Sequence, residues 1–251
     1  MIRRTASRFG LVADVHANLH ALNAVLSALA EEGVEEVWCL GDVVGYGGDA
    51  EACVEIVRER CAGTVRGNHD AAAVEDALRA SFNPHARAAI ERQADLLSRD
   101  ALEWLGGLPA VLELEDVVLL HASCTDPEAF PYVLGARDAA RELEALPGRW
   151  GFYGHTHVPA LWRMGDDGLV EGLPCDSSGP AVLDRPGRYL INPGAVGQPR
   201  DGDPHAACAV FDRDSEELRL LRVAYDVAGA QSSIRRAGMP EVEALRLERG
   251  L

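Results

Sequence analysis

Basic residues are in short supply: 24 Lys and Arg stand against 40 Asp and Glu among 251 residues, a formal net charge of −16. Such a balance argues against a nucleic-acid polymer or an anionic membrane as partner, because phosphate backbones and headgroups reward Lys and Arg. A small phosphorylated substrate stays open, since charges are screened beyond about 8 Å and a bound cation dominates its own surroundings. No apolar run approaches the roughly 18–20 residues of a membrane span. The basic opening MIRRTASRFG leads into an apolar stretch that Asp14 and His16 interrupt before a signal core could form. The six cysteines (Cys39, Cys53, Cys61, Cys124, Cys175, Cys208) include no CxxC pair, and Cys39 and Cys208 lie inside apolar runs. They read as small core residues in a reducing compartment, so a cytoplasmic location is expected. Repeats, low-complexity tracts and linkers are also missing, and 47% hydrophobic residues suffice for one sizeable core, so residues 1–251 are expected to form one domain.

What is there begins with an alternation of apolar runs and amphipathic stretches. Residues 9–13, 36–40 and 63–66 read as strands, and 18–32 and 49–60 as helices, the pattern of a parallel sheet with crossover helices. Residues 70–105 look helical, with Asn83 as a cap and Pro84 in a first turn. Later segments change character. Turn signals at Glu115-Asp116, at 165–168 and at Arg213-Asp214-Ser215 each divide two strand-like runs, which suggests hairpins. A parallel half followed by an antiparallel half suggests two sheets packed face to face with helices outside.

Five short clusters follow apolar runs: Asp14 and His16, Asp42, Asn68 and His69, His121, and His155 with His157. In open parallel sheets ligands gather at the carboxyl ends of strands, which is where these clusters fall. If the backbone is extended, Asp14 and His16 point the same way, as do His155 and His157. Each cluster has a structural alternative: a capping Asp beside a surface His, a turn Asp, an Asx turn with Asp70 stabilising a helix start, a hydrogen-bonded core His. Their shared position after five strands makes the purely structural reading of all five a poor account. Carboxylate, amide and imidazole donors together suit Mn, Fe, Zn, Co or Ni better than Ca or Mg.

The ordered series DVH, GD, GNHD, an isolated strand-end His and GHTH resembles the calcineurin-like metallophosphoesterases, in particular their short bacterial single-domain branch. The later INPGAVGQPRDGDP resembles that branch too. The resemblance implies an α/β, four-layer αββα fold of two mixed sheets flanked by helices, with a dinuclear centre. It puts Asp14, His16 and His157 on one metal, Asn68, His121 and His155 on the other, and Asp42 between them. Two divalent transition-metal ions are implied, manganese foremost. His69 would meet substrate and, as imidazolium, protonate the leaving oxygen while a bridging hydroxide attacks phosphorus. Arg200 follows a glycine-rich segment and is a candidate for a phosphate oxygen. Asn18, Tyr46, Arg66 and Tyr132 are further candidates, each with a capping or packing alternative.

The chain departs from the family pattern at Ala13 and Ala17, where Ser and Gly are common, and at Gly45. In GDVVGYGGD this glycine stands where the eukaryotic-type protein phosphatases carry a second Asp, so the partner that orients His69 is left open. The expected activity is hydrolysis of a small phosphomonoester, phosphodiester or nucleotide polyphosphate. A serine/threonine protein phosphatase and a non-catalytic metal-binding scaffold are the alternatives.

Overall fold

The computed structural model describes residues 6–251; the first residues of the basic opening lie outside this range. The expected alternation appears at once as β1 (Arg8–Val12), α1 (Leu19–Glu31), β2 (Glu36–Cys39), α2 (Ala50–Arg60) and β3 (Gly63–Thr64), the last much shorter than its apolar run. The stretch read as helical over 70–105 is four helices: α3 (Asn68–Val74), α4 (Asp76–Arg79), α5 (Pro84–Leu96) and α6 (Arg99–Gly106). The breaks have local causes. Glu75 is extended, Asn83 precedes a proline and accepts from the His85 and Ala86 amides, and Ser98 accepts from the Ala101 amide at 3.1 Å.

β4 (Val111–Leu114) and β5 (Val117–Leu120) form the first expected hairpin; α7 (Ala136–Ala145) and β6 (Trp150–Phe152) follow. β7 (Ala160–Met164) and β8 (Val170–Leu173) form the second, followed by the two-residue β9 (Ala181–Val182) and β10 (Arg188–Asn192). β11 (Ala206–Asp212) and β12 (Glu217–Val223) form the third, and α8 (Val227–Arg236) and α9 (Glu241–Leu247) end the described fold. Sequence patterning does not pick out α7, β9, β10, α8 or α9.

Both sheets have six strands and both are mixed, in the orders β3-β2-β1-β11-β12-β9 and β4-β5-β6-β10-β7-β8. Parallel strands are thus divided between the sheets: β1 to β3 in one, β5, β6 and β10 in the other. The period of two along each strand decides the layering. Phe9, Leu11, Trp38, Val117, Leu119, Tyr189, Ile191 and Phe211 point between the sheets, where Phe9, Phe152 and Phe211 meet edge-on with centroids 5.3–6.0 Å apart. Val12, Cys39, Cys208 and Val210 face outward under α1, α2, α5 and α6, while Val118, Leu120 and Leu190 face α7. The result is the expected αββα order. Truncating Phe211 to Ala in this interior costs about 3–5 kcal/mol. No helix among the described residues is long and apolar enough to cross a membrane.

Candidate metal centre

All five clusters arrive at one edge of the sandwich, off the carboxyl ends of β1, β2, β3, β5 and β6. Main-chain bonds lace the loops together: Asp14 N–H to Gly41 O at 3.0 Å, His16 N–H to Asp42 O at 2.9 Å, and Gly154 N–H to His121 O at 2.9 Å. Beyond the strand ends the backbone is not extended. Asp14, His16, Ala17, Asp42, Tyr46, His155 and His157 all have positive φ, seven of the ten such non-glycine residues described. This corrects the expectation that residues two apart share a direction because they continue a strand; left-handed turns aim them instead, at a cost of ~1–3 kcal/mol for each strained residue. Gly67 is indispensable to the approach, since a Cβ there would lie 2.1 Å from Asp42 Oδ1.

The side chains converge in two groups that share a carboxylate. Asp14, His16, Asp42 and His157 form one and Asp42, His121 and His155 the other, with ligand atoms in each within 4.8 Å of one another. Asp42 Oδ2 lies 3.6 Å from His16 Nε2 and 3.4 Å from His121 Nε2, and Asn68 Oδ1 is 3.2 Å from His121 Nε2. His155 and His157, expected on one face, therefore serve different groups. His16, His121 and His157 each donate an Nδ1–H to a main-chain carbonyl, of Val44 at 3.0 Å, Leu40 at 2.7 Å and Gln198 at 2.6 Å. These bonds turn Nε2 inward and leave it the lone-pair nitrogen of the neutral rings of His16 and His157; at His121 it faces Asp42. His16 Nε2 and His157 Nε2 then stand 2.9 Å apart. Two lone pairs at that distance repel unless a cation lies between them. His155 Nε2 is buried without a partner, which fits the same requirement.

Burial governs the electrostatics. It pushes Asp14 up to about 7 and His155 down to about 3, and drives His16 and His157 well below the usual imidazole range. Burial would also raise Asp42, but the neighbouring histidines, His121 foremost, outweigh it and hold this carboxyl well below its normal value. His121 is the reverse case: burial lowers it, yet the Asp42 carboxylate carries it up to about 9. The pocket is rich in acceptors, and its nearby positive charge comes from His121 and Arg200. Neutral imidazoles, carboxylates and one amide suit divalent transition metals.

His69 projects beside this centre, its main-chain N–H donating to Asp42 Oδ1 at 2.8 Å. Its ring packs between Tyr46 and Phe82, and Nδ1 is buried without a partner. Gly45 lies against that nitrogen, where a Cβ would come within 2.3 Å, so no carboxylate orients the ring from this position. Burial pushes His69 down to about 4.

Asp70 combines its expected role at the start of α3 with a second one. It accepts from the Gly67 amide at 3.0 Å and from the Val43 and Val44 amides at 2.8 and 3.2 Å, clamping the Asp42 loop. Gln93 of α5, which sequence reading passed over, clasps the next turn by accepting from Gly45 N–H and donating to Gly47 O at 2.6 Å. A glutamine 0% exposed inside an amphipathic helix is visible only once the loop is in place.

Arg200 is brought to the same edge. Its guanidinium lies 5.5 Å from the Tyr46 ring centroid, and its Nη2 donates to Gln198 Oε1 at 2.9 Å. Gln198 Nε2 in turn donates to Glu243 of α9 at 3.0 Å. Tyr46 covers His16 and His69 with centroids 4.6 and 4.5 Å away. Asn18 has both ends of its amide engaged in the fold: it accepts from Ala21 N–H at 3.1 Å as the cap of α1 and donates to Gly197 O at 2.9 Å. The structure thus gives it the capping role weighed beside substrate binding. Arg66 is turned to Glu75 and Glu128, each at 3.2 Å.

A two-sheet αββα sandwich with an Asp, Asn and His cluster at the carboxyl ends of its parallel strands defines a phosphoester hydrolase class. The chain belongs to the calcineurin-like phosphoesterase superfamily, whose domain model matches residues 8–216. It is 34% identical over 239 residues to the uncharacterized protein MJ0912 of Methanocaldococcus jannaschii, covering 94% of this chain and 95% of that one. The crystal structure of a metallophosphoesterase from Sphaerobacter thermophilus is similar, with 40% identity, a TM-score of 0.88, and 98% of this chain and 100% of the other covered. The hypothetical protein PH1004 from Pyrococcus horikoshii shares the fold at 17% identity, with a TM-score of 0.78 over 97% of this chain and 98% of that one.

Proposed function

We propose that the protein is a dinuclear metal-dependent phosphoesterase acting on a small phosphorylated substrate, a monoester, diester or nucleotide polyphosphate. Asp14, His16 and His157 hold one divalent ion, Asn68, His121 and His155 the other, and Asp42 both, with manganese foremost among Mn, Fe, Zn, Co and Ni. The observation that carries this is the 2.9 Å approach of the His16 and His157 Nε2 atoms, both turned inward by carbonyl bonds on their Nδ1 atoms. When bound, the ions supply Lewis acidity toward phosphoryl oxygens and acidify water at neutral pH.

The remaining work falls to the chain. Arg200, held by Gln198, offers guanidinium N–H groups to a nonbridging oxygen. His69 stands at the mouth as proton donor to the leaving oxygen, and an anionic phosphoryl group beside it raises its proton affinity from the low value burial imposes. The shared Asp42 accepts the His69 main-chain N–H, which ties the donor's position to that of both ions.

A manganese-supplemented panel of a phosphomonoester, a phosphodiester, a dinucleoside polyphosphate and a phosphopeptide, with a chelator control, tests the reading. Chelator-sensitive hydrolysis of a small ester is expected. Preferential hydrolysis of the phosphopeptide would instead identify a protein phosphatase. Purified protein with no metal and no manganese-stimulated turnover would identify a scaffold.

A further inference from the structure

The metal ligands determine where a phosphoryl group sits and leave the organic part of the ester unspecified. A cleft of about 420 Å³ opens directly beside Asn68, His69 and His155, within the size range of small-molecule sites (~300–1,000 Å³). Its wall is aromatic wherever it meets the centre. Tyr132 stacks on His155 with centroids 4.1 Å apart and planes at 18°, Phe82 lies 4.7 Å from His69, and Phe130 lies 5.9 Å from His121. Leu78 and Ala86 extend the apolar surface.

Charge is nearly missing from this wall. Among the described residues, and apart from the histidines, the one ionisable side chain lining it other than Tyr46 and Tyr132 is Glu128, and Arg66 pairs with it at 3.2 Å. A second phosphate of a polyphosphate would find beside this wall only Arg66, already paired with Glu75 and Glu128. Tyr132 remains 50% exposed on a concave surface that continues into the metal centre, an arrangement that favours a flat partner over water.

We propose that the cleft seats a planar, uncharged ring carried by the phosphoester, packed against Phe82 and Tyr132, with a single phosphoryl group at the centre. This rests on the phosphoesterase reading for the position of the phosphoryl group, and on the cleft alone for the ring. A nucleobase and a simple aryl group share this chemistry.

Calorimetric titration of the manganese-loaded protein with phosphonate analogues of adenosine 5′-monophosphate and of ribose 5-phosphate tests it without turnover. The adenosine analogue should bind roughly 5- to 100-fold more tightly, the range expected for one base stacked on an aromatic side chain. Phe82→Leu, which keeps apolar bulk without a ring, and Tyr132→Ala, at a half-exposed position, should each shrink that ratio severalfold. Phenylphosphonate against methylphosphonate separates the two sources: a matching ratio shows that any ring suffices, and a ratio near one restricts the site to nucleosides. Equal binding of the adenosine and ribose analogues, binding of neither, or a ratio untouched by both variants overturns the proposal. Ring-dependent binding without metal-dependent hydrolysis would overturn only the phosphoesterase reading; hydrolysis with equal binding would overturn only the ring.

Discussion

In metal-free protein His121 should hold a proton that a cation otherwise displaces, and this proton should be visible as pH-dependent stability. The ring is 1% exposed, donates Nδ1–H to Leu40 O at 2.7 Å and presents Nε2 to Asp42 Oδ2 at 3.4 Å. Burial lowers its pKa, but Asp42, joined by Asp14, raises it from 6.5 to about 9. A raised folded pKa means the stabilisation is fully present below pH 6.5 and is lost as pH rises through about 9. At about 1.4 kcal/mol per pH unit, raising the pH from 6.5 to 8.5 removes roughly 2–3 kcal/mol. For a chain of this size that is a fall in Tm of roughly 5–10 °C. Neighbouring groups leave the window readable: Asp14 and Asp70, raised to about 7, add a loss of the same sign at its lower end, while His16, His69, His155 and His157, all lowered from 6.5 by burial, each add an opposing gain of roughly 0.4 kcal/mol as the unfolded rings lose their protons, and the two sets largely offset each other. Differential scanning calorimetry of chelator-treated protein, wild type against His121→Gln, is the assay. Manganese binding should conversely tighten with pH and release about one proton at this group, seen by titration in buffers of different ionisation enthalpy. A flat wild-type Tm across the window, or an equally steep fall in His121→Gln, would refute the assignment of the buried proton.

Asp42→Asn keeps the shape and the acceptor for His69 N–H but removes the charge common to both groups. A unit charge at ~4 Å is worth about 4 kcal/mol at an effective dielectric of 20, so each ion should bind at least roughly a thousandfold more weakly; full metal content after dialysis would contradict the shared role. His69→Ala should slow esters with alkyl leaving groups far more than those with acidic phenols, and equal losses on both would remove His69 as proton donor. Glu243→Ala leaves Gln198 Nε2 without its acceptor and so loosens Arg200. At about 1–2 kcal/mol for a lost buried hydrogen bond, KM should rise roughly 5- to 30-fold with kcat less affected, and an unchanged KM would detach α9 from substrate binding.

The residues that meet at the centre were legible because each sits where an apolar run stops, and runs are what hydrophobic patterning reports. The hairpins around Glu115-Asp116 and Arg213-Asp214-Ser215 were legible for the same reason, through their turn chemistry. The direction of the ligands was not. Left-handed backbone at Asp14, His16, His155 and His157 is imposed by the ladder between neighbouring loops, a tertiary effect that no local pattern encodes. Gln93, Gln198 and Glu243 escaped notice because a polar residue within a helix or loop looks solvated until its partner, distant in sequence, is placed beside it. The interruptions at Glu75 and Leu97 went unread although Asp76 and Ser98 beside them are residues that favour helix starts. Asn83-Pro84 was readable because its capping and proline signals are local.

The imidazoles at the centre owe their orientation to main-chain oxygens of Val44, Leu40 and Gln198. No substitution removes a peptide carbonyl. The tautomer of each ring is therefore protected against mutation in a way that a carboxylate partner would not be, and inheritance can change the residues at 40 and 44 so long as the chain's path survives, whereas the side chain at 198 is separately tied to Arg200. Deep mutational scanning should accordingly find the histidines themselves intolerant while positions 40 and 44 tolerate any apolar side chain that fits, so that part of what prepares this site for a cation is invisible to a comparison of sequences.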